Sequence, residues 1–522
     1  MTLEKDSFHL EELERVLKSS EFADKPVMKD LLTYLVTEYV EGRSDRIKGI
    51  TIAVEVFDKG SDFDADRNAL VRNAATRLRR LLRNYYLEEG SRDSFRIEIP
   101  KGTYTPSISR NKGGKTEPDV RDAALSPRVA VSPLLNLTGR EGLDYLALGF
   151  CQQLADALTI FDDFRIIGLG RRLDDGEYDL PDGERINGAS IDFLVDGNIQ
   201  ATNRYVKVNL RLIDQSDHST VWADCFEFRN EENDLFQRQE VVTQKIACQI
   251  GSEYGQINER RYKSLLDSKP QTLNEQDLLL KYYHHNAVLT EESALDFKQG
   301  VFAALEKEPE SALLNNFAGD IYGSIYSLDF PGAEEALGKF DHYIEKAYAI
   351  NPNQQLVRSS LAYKCLVFDD RQRFFSLLNE NRGSTAASPL RLGGFALCTC
   401  LFGEWDRGKQ MVDEIFDHNL HVPGWLHGLV ALDHYRRCEY DQALKEANKY
   451  QIQGLHWAYI HRIVALSQLG RLKEARSEFQ ALLESRPNFV ARGRHLMSIL
   501  IKDTNLLEHL LEGFARIGVK ID

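Results

Sequence analysis

The sequence contains no long apolar run. The longest weakly polar stretch, Leu392–Phe402, is far shorter than the roughly 20 residues that a membrane-spanning helix needs. Residues 1–30 carry acidic side chains throughout and include no apolar segment of the kind found in secretory signal peptides. The sequence therefore predicts a cytoplasmic protein that has no membrane partner.

Cysteine is scarce and irregularly placed. The seven cysteines are an odd number and follow neither a disulfide framework nor a zinc-binding spacing, which is typical of reduced thiols in a cytosolic protein. Only Cys398 and Cys400 lie close together, and no second pair of ligands accompanies them. We therefore expect both thiols to be buried in an apolar helix rather than bound to a metal.

Motifs of the common enzyme classes are missing. The sequence has no phosphate-binding lysine loop, no nucleophile elbow, no paired His-x3-His and no kinase or cyclase motif. Gly168-x-Gly170 follows a predicted strand but lacks the third glycine of a dinucleotide site. His284, His285 and His342 are isolated on helical segments, where capping or surface roles are expected. These absences predict no enzyme, no cofactor and no metal.

One segment of this acidic chain has no acidic residue. The formal net charge is −15, from 80 Asp and Glu against 65 Lys and Arg. Residues 67–83 nevertheless contain six arginines and no acid, whereas residues 1–66 and the chain after residue 110 are acidic on balance. A local basic surface on an acidic protein is typical of one small nucleic-acid-binding surface.

Periodicity and turn composition divide the chain into four segments. Residues 1–108 predict a helical unit that ends in a hairpin, and the polar, glycine-rich residues 109–126 predict a linker. Residues 127–262 predict a small α/β domain, and residues 263–522 predict paired helices without strands. The predicted fold class is multidomain α+β: a winged helix-turn-helix, a small α/β domain and an all-α solenoid.

The basic segment predicts an amphipathic helix over residues 65–87. Asp64 or Asp66 can cap its N-terminus. Its apolar residues recur at three- and four-residue steps and form one stripe: Val71, Ala74, Ala75, Leu78, Leu81, Leu82 and Tyr85. Away from this stripe lie Arg72, Thr76, Arg79 and Arg83, with Asn73, Arg77 and Arg80 beside them. Because no acid accompanies these arginines, the segment differs from a solvated face laced with salt bridges.

A hairpin is predicted after this helix. Phe95, Ile97 and Ile99 alternate with polar residues, Pro100-Lys101-Gly102 turns the chain, and Thr103–Thr105 returns. A basic helix followed by a hairpin predicts a winged helix, whose helix enters the major groove while the wing contacts phosphate or the minor groove.

Each basic or polar residue of this unit has an expected role. Guanidinium groups suit phosphate and guanine edges, and Arg67 is expected to be structural or to contact phosphate. Asn73 and Thr76 are expected to read base edges. The other expected DNA-binding residues are Arg72, Arg77, Arg79, Arg80, Arg83 and Lys101.

About 85 of the first 108 residues resemble the OmpR-type winged-helix family. Val71-x6-Leu78-Arg79-Arg80-x-Leu82 and Lys101-Gly102-Thr103-Tyr104 are similar to its recognition helix and wing. Leu31–Val36 and Thr51–Phe57 are similar to its first and positioning helices. The resemblance implies binding to double-stranded DNA. Arg72 stands where the family often has an acid, and Pro100 replaces a polar wing residue, so no sequence preference is carried over.

Residues 127–255 resemble the N-terminal domain of TolB. The similarity rests on Arg128–Gly139, Leu143–Phe150, Phe193–Ile199, Val208–Asp214 and Val221–Ala223. It implies an interaction or spacer domain without a catalytic role.

Two local features of this domain carry expectations of their own. Asp196-Gly197 is expected to form a turn or bulge, and Asp144 to be a cap or surface group. A helix from about Leu235 to Tyr262 is expected to close the domain.

A recurring turn marks the C-terminal segment. The turns around Trp405, Tyr440 and Leu472 align at spacings of 35 and 32 residues, and Ala443 and Ala475 stand where helices would pack closely. Over residues 270–500 this pattern resembles the tetratricopeptide repeat, whose period is about 34 residues. The resemblance implies a concave surface for a protein, peptide or small-molecule ligand.

Three functions are compatible with this organisation. They are a sequence-specific transcription regulator whose repeats bind a signal or partner, a cytoplasmic scaffold that does not bind DNA, and an enzyme with an unrecognised site. The acid-free arginine face favours the first over the second, and the missing catalytic motifs oppose the third. We expect a bacterial regulator in which occupancy of the repeats changes how two winged helices of a homodimer meet DNA.

Overall fold

The computed structural model combines α-helices and β-strands and ends in a long helical region. Contacts divide the chain into two compact units, Met1–Val120 with Glu380–Ser384 and Arg121–Asn379 with Thr385–Asp522. Among the described residues, no helix is both long and apolar enough to cross a bilayer. The structure describes residues 11–23, 25–41, 43, 46–57, 70–87, 89–90, 93, 95–99, 104–110, 126–138, 144–161, 163–169, 177–179, 185–187, 191–202, 205–229, 235–380, 388–419, 421–450 and 455–522.

The first unit places helices around one apolar core and adds a hairpin. Residues 11–18 are helical, and the elements that follow are α1 (Pro26–Val40), α2 (Gly49–Glu55), α3 (Leu70–Leu87), β1 (Phe95–Glu98) and β2 (Ser107–Arg110). Every residue of the predicted apolar stripe of α3 is buried, which confirms the orientation of this helix. The stripe packs in a core shared with α1, α2 and β1.

The second strand of the hairpin begins later in the chain than predicted, at Ser107 rather than at Thr103. β1 and β2 pair antiparallel with Ile97 opposite Ile108, and Tyr104 and Thr105 lie outside any strand. Pro106 has no amide hydrogen to donate to a strand ladder, whereas Ile108 packs against the same core as Ile97. The prediction that residues 109 and 110 begin the linker is therefore wrong, because both belong to β2.

A six-stranded sheet opens the second unit. The elements of this region are β3 (Arg128–Val131), β4 (Leu135–Asn136), α4 (Asp144–Leu158), β5 (Arg165–Gly168), β6 (Glu177–Asp179), β7 (Arg185–Asn187), β8 (Phe193–Ala201), β9 (Tyr205–Asp214), β10 (Ser219–Arg229), α5 (Leu235–Gly251) and α6 (Gln256–Ser268). The strand order of the sheet is β10-β9-β8-β3-β5, with β4 beside β8. Strands β6 and β7 form a separate hairpin, which the sequence did not predict. Helices α4 and α5 pack with the sheet around one apolar core.

Two predictions for this region are wrong in detail. Gly197 lies inside β8 opposite Leu210 without a register shift, so no turn or bulge forms there. A Cβ atom at Gly197 would lie 2.0 Å from the Asn209 carbonyl oxygen, so glycine permits a close backbone approach. The single closing helix that was predicted is two helices, α5 and α6, separated by a short turn. A Cβ at Gly255 would lie 2.7 Å from the Ile250 carbonyl oxygen, so the close backbone approach in this turn requires glycine. Asp144 is exposed in the first turn of α4, as expected.

The described part of the C-terminal region contains seven consecutive helix pairs. Their bounds are α7 (Glu275–Val288), α8 (Glu291–Leu305), α9 (Ala312–Ser327), α10 (Ala333–Ile350), α11 (Gln355–Val367), α12 (Arg371–Glu380), α13 (Pro389–Leu401), α14 (Trp405–His418), α15 (Gly424–Arg436), α16 (Tyr440–Ala447), α17 (His456–Gln468), α18 (Leu472–Ser485), α19 (Phe489–Leu500) and α20 (Thr504–Arg516).

The predicted recurrence of the turns is confirmed. Trp405, Tyr440 and Leu472 each begin the second helix of a pair, and Ala443 and Ala475 are buried three residues later. The turns inside the first six pairs each contain at least one residue in the left-handed region: Leu289, Asp329 with Gly332, Asp369, Gly403, Cys438 and Gly470. This conformation ends the first helix and redirects the chain into the second.

The helix array closes on itself. Helix α19 contacts α9 and α11, and α15 contacts α7. Arg486 Nη2 donates to the Leu328 carbonyl oxygen at 3.4 Å, and Arg492 forms an ion pair with Asp329 at 2.9 Å. The first helices of the pairs therefore surround a central cavity, where the repeat pattern had predicted a concave surface.

A buried polar network joins the sheet to this array. The Tyr283 hydroxyl donates to Asp163 Oδ2 at 2.7 Å. Arg391 Nη2 lies 3.9 Å from Asp163 Oδ1, and Arg391 Nε lies 3.6 Å from Glu253 Oε1. Ser388 Oγ donates to Glu253 Oε1 as well. The Arg391 guanidinium thus compensates two carboxylates where the sheet meets the helix array.

The cysteine and histidine predictions differ in outcome. Cys398 and Cys400 are buried, as predicted. His285 is also buried, with Nδ1 2.8 Å from Ser293 Oγ and Nε2 3.3 Å from Ser324 Oγ, so the capping or surface role predicted for it is wrong. It faces two neighbouring helices, which the isolated sequence position did not reveal.

Candidate nucleic-acid interface

Helix α3 presents the candidate interface. It contains five arginines and neither Asp nor Glu. Arg77 is exposed, and no acidic side chain among the described residues pairs with it. Since the apolar stripe is buried, Arg77, which stands outside the stripe, is kept away from the core.

Several predicted site residues fall outside what the structure describes. The α3 backbone includes the positions of Arg72, Asn73, Thr76, Arg80 and Arg83, but their side chains are not described. Lys101 at the predicted wing tip, Arg67, and both predicted capping residues, Asp64 and Asp66, lie outside the described residues altogether.

Arg79 connects the helix to the hairpin. Its Nε donates to the Ile99 carbonyl oxygen at 2.8 Å, and burial lowers the pKa of its guanidinium. The side chain is only partly exposed, so it holds the end of β1 against α3. The sequence did not suggest this role, because the carbonyl that Arg79 binds is 20 positions away along the chain.

Arg77 and Arg79 are expected to respond differently to truncation. Arg79→Ala removes a charged hydrogen bond and should lower the free energy of unfolding of the first unit by about 1–2 kcal/mol. Arg77→Ala, at an exposed position, should change it by less than about 0.5 kcal/mol. Both should weaken DNA binding in a fluorescence-anisotropy titration, whereas hydrogen exchange of α3 and β1 should accelerate only in Arg79→Ala. Equal exchange in the two variants would contradict the linking role of Arg79.

A second network fixes the orientation of α3. The Tyr86 hydroxyl donates to Glu12 Oε1 at 2.9 Å and accepts from the backbone amide of Ile97 at 2.9 Å. Arg15 forms an ion pair with Glu12 at 3.0 Å, and the Tyr85 hydroxyl donates to Asp93 Oδ2 at 2.5 Å. The helical segment at residues 11–18, α3 and β1 are therefore held together by polar contacts as well as by the core.

Burial of Glu12 has an electrostatic consequence. Desolvation raises the pKa of its carboxyl from 4.5 to about 7, although hydrogen bonding from Tyr86 and the charge of Arg15 oppose the shift. The nearby Asp93 carboxylate adds to the rise. Because the folded form favours the protonated acid, its contribution to stability is fully present below pH 4.5 and is lost as the pH rises through about 7.

Glu12→Gln should reduce this pH dependence. The amide remains neutral, so the variant is expected to match the wild type near pH 4.5 and to be more stable than it above pH 7. Hydrogen exchange of α3 and β1, compared between the two proteins at each pH, measures the difference. A wild-type advantage that grew with pH would show that the Glu12 carboxylate, rather than the acid, stabilises the fold.

The described residues contain no candidate metal centre. Among them, no group of three or more His, Cys, Asp or Glu is placed to hold a metal ion. Gly168 ends β5, and Gly170 lies outside the described residues. Comparison with protein-family models gave no match, and comparison with curated proteins gave no significant match, so the function is inferred from the residues themselves.

Proposed function

We propose that this chain is a sequence-specific DNA-binding transcription regulator. The first unit is a winged helix that uses α3 as its recognition helix and the β1–β2 hairpin as its wing. The sheet of the second unit is a TolB N-terminal-like spacer, and the helix pairs are a tetratricopeptide-repeat domain that binds a signal or partner. The proposal rests on one observation above all: α3 buries its entire apolar stripe and carries five arginines without an acid.

The charge of α3 is the physical basis of the proposal. An exposed helix in an acidic protein is ordinarily supported by salt bridges between residues three or four positions apart, and α3 has no acid to form them. Its arginines repel one another in the free protein, and phosphate oxygens relieve that repulsion by accepting two hydrogen bonds in one plane. A scaffold that never meets nucleic acid would have no need for a helix with five arginines and no acid of its own.

The adjacent hairpin adds the geometry of a DNA reader. Arg79 ties the end of β1 to α3, so the two elements move as one body. When α3 lies in the major groove, the hairpin can reach the neighbouring phosphate backbone or minor groove. Asn73 and Thr76 then read base edges, Arg72, Arg80 and Arg83 contact phosphate or guanine, and Lys101 contacts the backbone from the wing.

Selection of genomic fragments by the full-length protein, followed by gel-shift titration, tests the proposal. We expect a limited set of fragments to be bound, with a typical affinity of about 10⁻⁸ M or tighter for the best of them and far weaker binding to scrambled sequence. Asn73→Ala and Thr76→Ala should mainly blur the preference between fragments. Failure of the full-length protein to bind any fragment more tightly than scrambled duplex would favour the scaffold function.

A further inference from the structure

The ring of helix pairs surrounds a central cavity that is partly open. Its volume is about 170 Å³, and all seven first helices contribute to its wall. An apolar cavity of about 150 Å³ accommodates a benzene ring. The cavity is therefore large enough for one ring with a short substituent and too small for a peptide helix.

A single carboxylate in the cavity wall dominates its polarity. Asp320 lies in α9, keeps part of its surface accessible and lines the cavity. Its Oδ2 accepts hydrogen bonds from the hydroxyls of Tyr282 and Ser360, both at 2.6 Å, and from Asn316 Nδ2 at 3.4 Å. Within the described residues, no donor reaches its Oδ1.

This carboxylate has no basic partner among the described residues. The three donors to Asp320 are all neutral, and no other acidic or basic residue lines the cavity apart from His461. Burial lowers the pKa of His461 to about 3, so this imidazole is neutral at physiological pH. Burial raises the pKa of Asp320 to about 6, which still leaves the carboxylate mostly ionised near pH 7. The cavity therefore carries one uncompensated negative charge.

The remaining wall suits a cation with an aromatic body. Tyr282, Tyr363, Trp425 and Trp457 line the cavity together with several leucines. Aromatic faces attract a cation that approaches within about 6 Å of the ring centre, and the attraction is larger in a desolvated site. Leucines and aromatic edges accommodate an apolar ring.

Two further groups in the wall have unused hydrogen-bonding capacity. Trp457 Nε1 and both ring nitrogens of His461 are buried and find no hydrogen-bond partner among the described residues. A buried donor or acceptor without a partner destabilises the protein. A ligand that carries a second polar group would relieve this cost.

We propose that the central cavity binds a compact organic ammonium ion: a single aromatic ring on a short chain whose amine pairs with Asp320. The charge, the aromatic wall and the volume each select for this class, whereas an anion would meet the Asp320 carboxylate and a peptide would not fit. Binding itself does not depend on the proposed DNA-binding function, but its use as a regulatory signal rests on that function.

Isothermal titration calorimetry of the full-length protein tests the assignment with three probes of similar shape. These are phenethylamine, phenethyl alcohol and hydrocinnamate, which are cationic, neutral and anionic at pH 7. A desolvated charge pair favours the cation by about tenfold or more over the alcohol, and the anion should bind most weakly. Equal affinity for amine and alcohol, tighter binding of hydrocinnamate, or no detectable binding of phenethylamine at millimolar concentration would overturn the proposal.

Variants then locate the site. Asp320→Asn keeps the shape and should abolish the preference for the amine, whereas the exposed Glu334→Gln is the matched control and should leave it unchanged. Leu397→Trp fills the cavity and should prevent binding of every probe, which gives a second test should Asp320→Asn fail to fold. Retention of amine binding by folded Asp320→Asn or Leu397→Trp would place the bound amine elsewhere and overturn the assignment. Because none of these measurements involves DNA, their outcome is independent of the gel-shift result.

Discussion

Full-length protein in which Arg72, Arg80 and Arg83 are all replaced by Ala is expected to bind its DNA fragment roughly 100-fold more weakly than the wild type at physiological salt. Each arginine that contacts phosphate releases about 0.9 counterion. Because each lost contact lowers the binding constant by a factor, the three factors multiply. The apolar stripe that positions α3 is untouched by these changes. Fluorescence anisotropy with a labelled duplex measures the effect.

The matched control removes the same amount of charge from the second unit. Arg471, Arg494 and Arg516 are exposed and pair with Glu474, Glu508 and Glu512. Their replacement by Ala should leave DNA affinity within about twofold of the wild type, since these residues do not belong to the proposed interface and salt screens exposed charges beyond a Debye length. A loss of affinity equal to that of the α3 variant would mean that net charge, rather than the α3 face, governs binding.

Arg391→Met is expected to destabilise the second unit by about 3–5 kcal/mol. Arg391 lies between Asp163 and Glu253, which are both buried. Its removal leaves the Glu253 carboxyl in a low-dielectric environment without a described positive partner, while Asp163 keeps only the attraction of Arg261. All four tryptophans of the chain, at positions 222, 405, 425 and 457, belong to this unit. Urea unfolding followed by tryptophan fluorescence therefore reports on it directly.

An exposed ion pair provides the comparison. The side chains of Arg494 and Glu508 form an ion pair and are about half exposed, so Arg494→Met should destabilise the unit far less than Arg391→Met does. Adding Glu253→Gln to Arg391→Met should recover part of the lost stability, because one uncompensated charge is removed. A cost for Arg391→Met no larger than that of Arg494→Met would show that the network does not hold the sheet to the helix array.

Local periodicity made the elements predictable. The stripe of α3 follows from three- and four-residue steps, and the recurrence of Trp405, Tyr440 and Leu472 marks where second helices begin. Both signals depend on residues close together in the chain. The same is true of the burial of Cys398 and Cys400, which follows from their apolar neighbours.

Contacts between distant segments were not predictable in this way. Arg79 binds the Ile99 carbonyl oxygen because the hairpin folds back along α3, and Pro106 delays the return strand. Closure of the array depends on α19 meeting α9 and α11, which no single repeat encodes.

One of the missed polar residues did leave a weaker signal in the sequence. Asp320 is a lone acid among the apolar residues of α9. A polar residue at such a position indicates a specific partner, although the sequence cannot identify that partner.

The salt dependence of DNA binding tests the central claim most directly. The affinity of the full-length protein for its best genomic fragment is measured from low to physiological salt, and log affinity is plotted against log salt concentration. The account predicts a slope of roughly −4 to −5 per protomer, corresponding to between four and six phosphate contacts from α3 and the hairpin. An affinity that stayed flat across this range would contradict the assignment of α3 as a DNA-binding helix.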